Sequence, residues 1–186
     1  GGDLTKAGAP ERLVEQVVRE LGALHVLVNS AAVMRRTPFG KITPDDWDAI
    51  FALNLRAPFL LAQAATPALQ RASDANGEPA AIVNMADLAA FETWPGYVPH
   101  CLSKGGVVQM TRSLARILAP KIRVNAIAPG AVLVPEGWSE EDSQHLRDST
   151  PLGRLGSPDD VASAMLYLLN ADYVTGETII VDGGRH

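Results

Sequence analysis

Strand-like and helix-like segments alternate along this sequence, which predicts an α/β fold: a doubly wound parallel sheet covered on both faces. Three observations carry that prediction. Short apolar runs, too short for helices and rich in branched residues, recur at residues 25–29, 80–85, 122–127 and 178–181. Longer amphipathic stretches lie between them. Two of those stretches open with the same helix-start chemistry, Thr43-Pro44-Asp45-Asp46 and Ser157-Pro158-Asp159-Asp160.

Each element has a local reason. Pro10 opens an amphipathic helix with Val14, Val17, Val18 and Leu21 on one face, and Gly22 ends it. Residues 25–29 then read as a buried strand. The Thr43 start combines an N-cap hydroxyl, a proline at the first helical position and acids in the first turn. Its helix carries Trp47, Ile50, Phe51 and Leu55, and Pro58 predicts a kink or restart. A further helical stretch runs to about Gln70 and is interrupted by Pro67. Residues 73–79, with Asn76-Gly77 inside, read as a polar turn. After the strand at 80–85, a helix covers residues 100–118. The strand at 122–127 closes on Ala128-Pro129-Gly130. The Ser157 start leads a helix through 161–169, and the last strand, 178–181, stops at Asp182-Gly183-Gly184.

The 186 residues suit a single domain spanning 1–186. A hydrophobic fraction of 47% and a charged fraction of 20% are those of an ordinary globular protein. The net charge of −5 argues against nucleic acid, which demands a basic face. No apolar run approaches the roughly 18 residues that span a bilayer, so no membrane partner is expected. Residues 1–6 lack a signal-peptide pattern. Cys101 is the only cysteine, which rules out an internal disulfide and fits a reducing, cytoplasmic setting.

The most informative segment is Tyr97-Val98-Pro99-His100-Cys101-Leu102-Ser103-Lys104. On a helix His100 and Lys104, four apart, share a face and can address one substrate atom together. Five blocks then stand in a fixed order: Asn29-Ser30-Ala31-Ala32; Asn54 within Asn54-Leu55-Arg56-Ala57-Pro58-Phe59; Ile82-Val83-Asn84-Met85; Lys104; and Pro129-Gly130 followed by Tyr173-Val174-Thr175-Gly176 through Gly184. This ordered set resembles the short-chain dehydrogenase/reductase family, from about Asp3 to the C-terminus.

The resemblance implies a Rossmann-like sheet and an NADP- or NAD-dependent oxidoreductase that moves a hydride to a carbonyl or imine. It assigns Asn54, Asp87, His100 and Lys104 to catalysis. It assigns Asp3, Asn29, Ser30, Ala31, Ala32, Lys104, Pro129 and Gly130 to the cofactor, and it implies no metal. It also implies a small-molecule substrate and a homo-oligomer, dimer or tetramer, paired through the helices around Asn54 and Lys104.

Three departures qualify that picture. The family's serine would lie thirteen residues before its tyrosine, and that position here is Asp87. An aspartate there is similar to the pteridine reductase branch, which points to a pterin-like substrate. The tyrosine position holds His100. The Gly-rich T-G-x-x-x-G-x-G turn does not occur in the sequence. The match starts at Asp3-Leu4-Thr5, like the end of the family's third strand. The expectation is therefore a fold truncated at the N-terminus, with strands 4 to 7 of the family present, adenosine-side contacts missing and dinucleotide binding weak.

For His100 three readings stay open. It is a disabling replacement in an inactive relative or oligomer-forming subunit, a working acid paired with Asp87, or a substrate contact while Tyr97 or water moves the proton. Asp87 is a substrate carboxylate or only a turn or N-cap residue. An ionised aspartate accepts hydrogen bonds and cannot donate one, which favours a substrate with N–H donors over a simple ketone. Asn54 supports the proton path or steadies the kink near Pro58. Arg35 and Arg36 read as solvated arginines or as holders of a substrate carboxylate. Cys101, beside His100 but on another face, is not expected to act. Residues 132–154, with Trp138 and the acids Glu136, Glu140, Glu141 and Asp142, read as a substrate lid or a solvated helix face.

Overall fold

A computed structural model describes residues 2–132 and 139–186. Trp138 and Glu136 of the expected lid lie outside the described residues. Four parallel strands, β1 (Val26–Asn29), β2 (Ala80–Met85), β3 (Ile122–Pro129) and β4 (Thr178–Val181), form one sheet in the order β1-β2-β3-β4. Helices α1 (Ala9–Leu21), α2 (Pro44–Phe51), α3 (Ala57–Asn76), α4 (Val98–Leu118), α5 (Glu140–Asp148) and α6 (Pro158–Asn170) alternate with them. The predicted α/β fold with a parallel sheet is the one observed.

The two faces are covered unequally. Val14 of α1, Leu61, Ala65 and Leu69 of α3, and Ala115 and Leu118 of α4 pack on Ile82, Ile122 and Val124. On the opposite face Leu168 of α6 meets Val83 and Ile127. Alternate residues of β2 thus feed two cores, as the period of a strand requires. The expectation that residues 25–29 are buried is corrected: Val26 and Val28 are 38% and 39% exposed. Their register partners are Ala81 and Val83, so they point to the α6 face. There α6 packs on the other three strands and leaves β1, an edge strand among the described residues, open.

The helix starts follow their local chemistry. Thr43 and Ser157 each form a capping box with the acid three residues on. Between α2 and α3 the chain takes a π-helical turn, Ala52–Arg56, with Ala57 N donating to the Ala52 carbonyl. Pro58 has no N–H for the Asn54 carbonyl four residues back, which is why regular α geometry is lost there. Pro67 does not interrupt α3. The polar turn expected at 73–79 is shorter than that: Ser73 to Asn76 complete α3, and Gly77 ends it in the left-handed region at φ 75°. Together α2, the π turn and α3 make a run over Pro44–Asn76 that is long and apolar enough, by length and composition, to cross a bilayer. This corrects the expectation that no such run exists. Alanines and the two prolines had disguised it, and its apolar stripe is spent on the core through Leu61, Ala65 and Leu69.

Helix α5 falls in the segment 132–154, read from sequence as a substrate lid or a solvated helix face. Its Ser139 cap forms a full capping box with Asp142, but only Ser143 and Leu146 of its face are buried. The helical reading of the acids Glu140, Glu141 and Asp142 is the one observed.

Candidate active site

In a parallel sheet every strand delivers its C-terminal end to the same side, and ligands of such sheets bind there. The C-terminal ends of β1, β2 and β3 deliver Asn29 to Ala32, Met85 to Asp87, and Pro129-Gly130 to that rim. Helix α4 brings His100 and Lys104, and the π turn brings Asn54.

His100, Lys104 and Asn54 are all buried. Lys104 Nζ donates to the Met85 carbonyl at 2.8 Å. Burial lowers the Lys104 pKa from its ordinary value of 10.5, and the negative charge of Asp87 works in the opposite direction. An ammonium group has three hydrogens, so further donors remain for a ligand.

Asn54 is clamped rather than free. Its Oδ1 accepts from Val33 N at 2.8 Å, and its Nδ2 donates to the Val33 carbonyl at 2.9 Å and to Ser103 Oγ at 3.1 Å. The partners are thus on the loop after β1 and on α4, and not the main chain near Pro58. Ser103 Oγ itself donates to the His100 carbonyl at 2.7 Å. These bonds fasten the loop after β1 to the π turn and to α4.

His100 Nε2 stands 3.3 Å from Asp87 Oδ2. Its Nδ1 faces the Val33 carbonyl at 3.3 Å and Asn54 Nδ2 at 3.4 Å. The Trp94 ring lies nearly parallel to the imidazole at a centroid distance of 6.4 Å. Asp87 Oδ1 accepts from Ala89 N at 2.9 Å and caps the short turn Leu88–Ala90. The carboxylate therefore has the ordinary capping duty and also faces His100.

The residues matched to a cofactor behave differently from one another. Asn29 Nδ2 donates to Asn84 Oδ1 at 2.9 Å, and Asn84 Nδ2 to Thr111 Oγ1 at 2.9 Å, a buried chain that ties β1, β2 and α4 together. Among the described residues Asn29 Oδ1 has no hydrogen-bond partner. Ser30, Ala31 and Ala32 are exposed. A side chain at Gly130 would collide with Asp182, its Cβ lying 2.7 Å from that of Asp182, so the backbone turn there depends on glycine. Asp3 is occupied locally, its Oδ1 accepting from Thr5 N at 2.9 Å and Thr5 Oγ1 at 2.7 Å. It borders a wide cleft with Arg56, Phe59, Gly106 and Met110. Arg35 lines that cleft too, while the Arg36 side chain rests on Gly96. Cys101 is half-buried. Among the described residues no His, Cys, Asp and Glu cluster could hold a metal ion.

Sequence reading missed three participants. Ser103 was legible in principle, standing three residues after His100 and next to Lys104. Trp94 and the main chain of Val33 were not, because tertiary contact alone brings them in.

Fold and site together define a Rossmann-like α/β protein with its functional groups on the C-terminal rim of a parallel sheet. A family model described as enoyl-(acyl carrier protein) reductase matches residues 1–186. A 3-oxoacyl-(acyl-carrier-protein) reductase of Thermotoga maritima is 36% identical over 179 residues, covering 94% of this chain and 71% of that protein. A structure described as a short-chain dehydrogenase/reductase, glucose/ribitol dehydrogenase, from Brucella melitensis superposes with a TM-score of 0.88 at 35% identity, covering 100% of this chain and 73% of that one. A 4-hydroxyisoleucine dehydrogenase complexed with NADH gives a TM-score of 0.85 at 26% identity, covering 99% and 78%. The chain belongs to the short-chain dehydrogenase/reductase family.

Proposed function

We propose that this chain carries the catalytic groups of an NAD(P)-dependent oxidoreductase. The observation that supports this best is convergence: Asn54, Asp87, His100 and Lys104 come from three separate segments to one rim. Asn54, His100 and Asp87 are linked there by hydrogen bonds through Ser103, and Lys104 bonds to the Met85 carbonyl. Asn29, the exposed backbone of Ser30, Ala31 and Ala32, the Pro129-Gly130 turn and Lys104 would hold the nicotinamide side of a dinucleotide. A bound nicotinamide supplies or takes the hydride. Lys104 offers its spare N–H donors to a ribose hydroxyl, and Asp87 orients the substrate.

The finer reading is a substrate with N–H donors, pterin-like, because an ionised Asp87 only accepts hydrogen bonds. NADP and NAD stay equal on the residues present. Association into a dimer or tetramer is proposed through the α3 and α4 surface, where Phe59 is 44% exposed beside Gly106 and Met110. The lone Cys101 and the acidic charge support a cytoplasmic protein without nucleic-acid partners.

The test is oxidation of NADPH and of NADH with dihydrobiopterin, dihydrofolate and a panel of ketones, alongside calorimetric titration of both dinucleotides. Turnover of a pterin above the ketones supports the finer reading. Turnover of none of them, with either dinucleotide, sinks the oxidoreductase reading for this chain.

A further inference from the structure

His100, at the family's tyrosine position, lies beneath the surface of the rim. The side chain of His100 is 3% exposed, whereas that of Asp87 is 27% exposed. Both imidazole nitrogens face protein groups rather than the open rim. Asn54 Nδ2 has two hydrogens, and its shorter contacts, to the Val33 carbonyl and Ser103 Oγ, use both. His100 Nδ1 is thus left against the Val33 carbonyl and the flank of that amide. Nε2 faces a carboxylate, which has no hydrogen to give when ionised, so the proton of this contact belongs to Nε2. A hydrogen committed to Asp87 is not on offer to a substrate. Trp94 stands over the ring.

Asp87 has the opposite character. Two protein hydrogens, from Ala89 N and His100 Nε2, engage its two oxygens. A carboxylate has about four lone-pair sites, so acceptor capacity remains on the exposed side. We infer that Asp87, not His100, is the member of this pair that meets substrate, and that His100 is a positioning residue whose Nε2–H holds the carboxylate in place. The site then takes a substrate presenting an O–H or N–H donor at Asp87. This deepens the oxidoreductase reading and rests on it for the identity of the reaction.

Two variants separate positioning from proton donation. His100→Gln keeps an N–H of similar reach but has no proton to surrender; His100→Phe keeps the bulk and has neither. Positioning predicts that the glutamine variant loses no more than about tenfold in kcat, the scale of a weakened hydrogen bond. The phenylalanine variant, which removes the hydrogen bond to the carboxylate, then loses about a hundredfold. If the glutamine variant falls as far as the phenylalanine variant, His100 is the donor and the inference is overturned. A second measurement needs no turnover. In protein labelled with nitrogen-15 at histidine, His100 should show an Nε2–H signal protected from solvent exchange. That signal should disappear in Asp87→Ala. A signal already exchanging freely in the unmodified chain, or one indifferent to Asp87→Ala, overturns the inference as well. Absence of turnover in the unmodified chain would count against the oxidoreductase reading alone, since the nuclear magnetic resonance result still decides the contact.

Discussion

Lys104 Nζ reaches the main-chain carbonyl of Met85 at 2.8 Å, so the ammonium group of α4 is tied to the last residue of β2. Burial works against its charge and lowers its pKa below 10.5, with Asp87 opposing the shift. The sign of the consequence is fixed by linkage. Between the folded-state pKa and 10.5 the unfolded chain binds more protons than the folded one, so stability rises with pH across that window and is lower below it. Urea unfolding followed from pH 7 towards 10.5 should show a steeper rise for the natural chain than for Lys104→Met. Equal slopes would mean that the ammonium group is as well solvated folded as unfolded.

Two adjacent glycines of α4 should respond oppositely to one methyl group. A Cβ at Gly105 meets nothing within 4 Å, whereas a Cβ at Gly106 would lie 2.8 Å from Leu55 Cδ2 on the π turn. Gly105→Ala should stabilise the chain by about 0.5–1 kcal/mol, from the lower backbone entropy of alanine when unfolded. Gly106→Ala should destabilise by about 1 kcal/mol, since Leu55 must give way and it adjoins the clamped Asn54. Chemical denaturation of both variants checks the pair.

Much of the fold was legible because its signals are local. The Thr43 and Ser157 starts need only a hydroxyl, a proline and an acid at fixed spacing, and both form the boxes those residues imply. Asn54, Asp87, His100 and Lys104 could be picked out through the family resemblance of their blocks, and the structure brings all four to one rim. What escaped depends on distance in space. The exposure of Val26 and Val28 follows from how far α6 reaches across the sheet, which no window of sequence contains. The last turn of α3 looked like a loop because Ser73, Asp74 and Asn76 are polar, yet Ala72 and Ser73 are buried there. Val33 enters the site through its peptide group, to which side-chain identity is almost irrelevant. The seclusion of His100 behind Asp87 was equally invisible.

The start of α6 should be sensitive to acid. Asp160 is held well below its ordinary pKa of 3.8, first by hydrogen bonding from the Arg154 guanidinium and then by the Ser157 hydroxyl and amide. Such a carboxylate contributes stability that is present above pH 3.8 and is lost as pH falls through the folded-state value. Acid unfolding monitored by circular dichroism should begin at higher pH in Asp160→Asn than in the natural chain. The two curves should converge once the carboxylate is protonated.

Arg123 should be among the costliest polar residues to remove. It stands near the start of β3 and is buried, with Nη1 on the Leu168 carbonyl and Nη2 on the Leu169 carbonyl, both at 2.8 Å, and Nη1 also 3.4 Å from the Val174 carbonyl. Leu168 and Leu169 lie in the last turn of α6, whose carbonyls have no partners within the helix. One guanidinium thus terminates α6 and fixes it to the sheet at the negative end of the helix dipole. Arg123→Met keeps the volume but leaves those carbonyls buried without donors, which should cost about 2–4 kcal/mol. Arg123→Lys, with a single point of donation, cannot serve two carbonyls with the same geometry and should fall between. If instead Arg123→Met unfolds at the same urea concentration as the natural chain, water has replaced the guanidinium. Hydrogen exchange confined to α6 and to Val174 would then show where it enters.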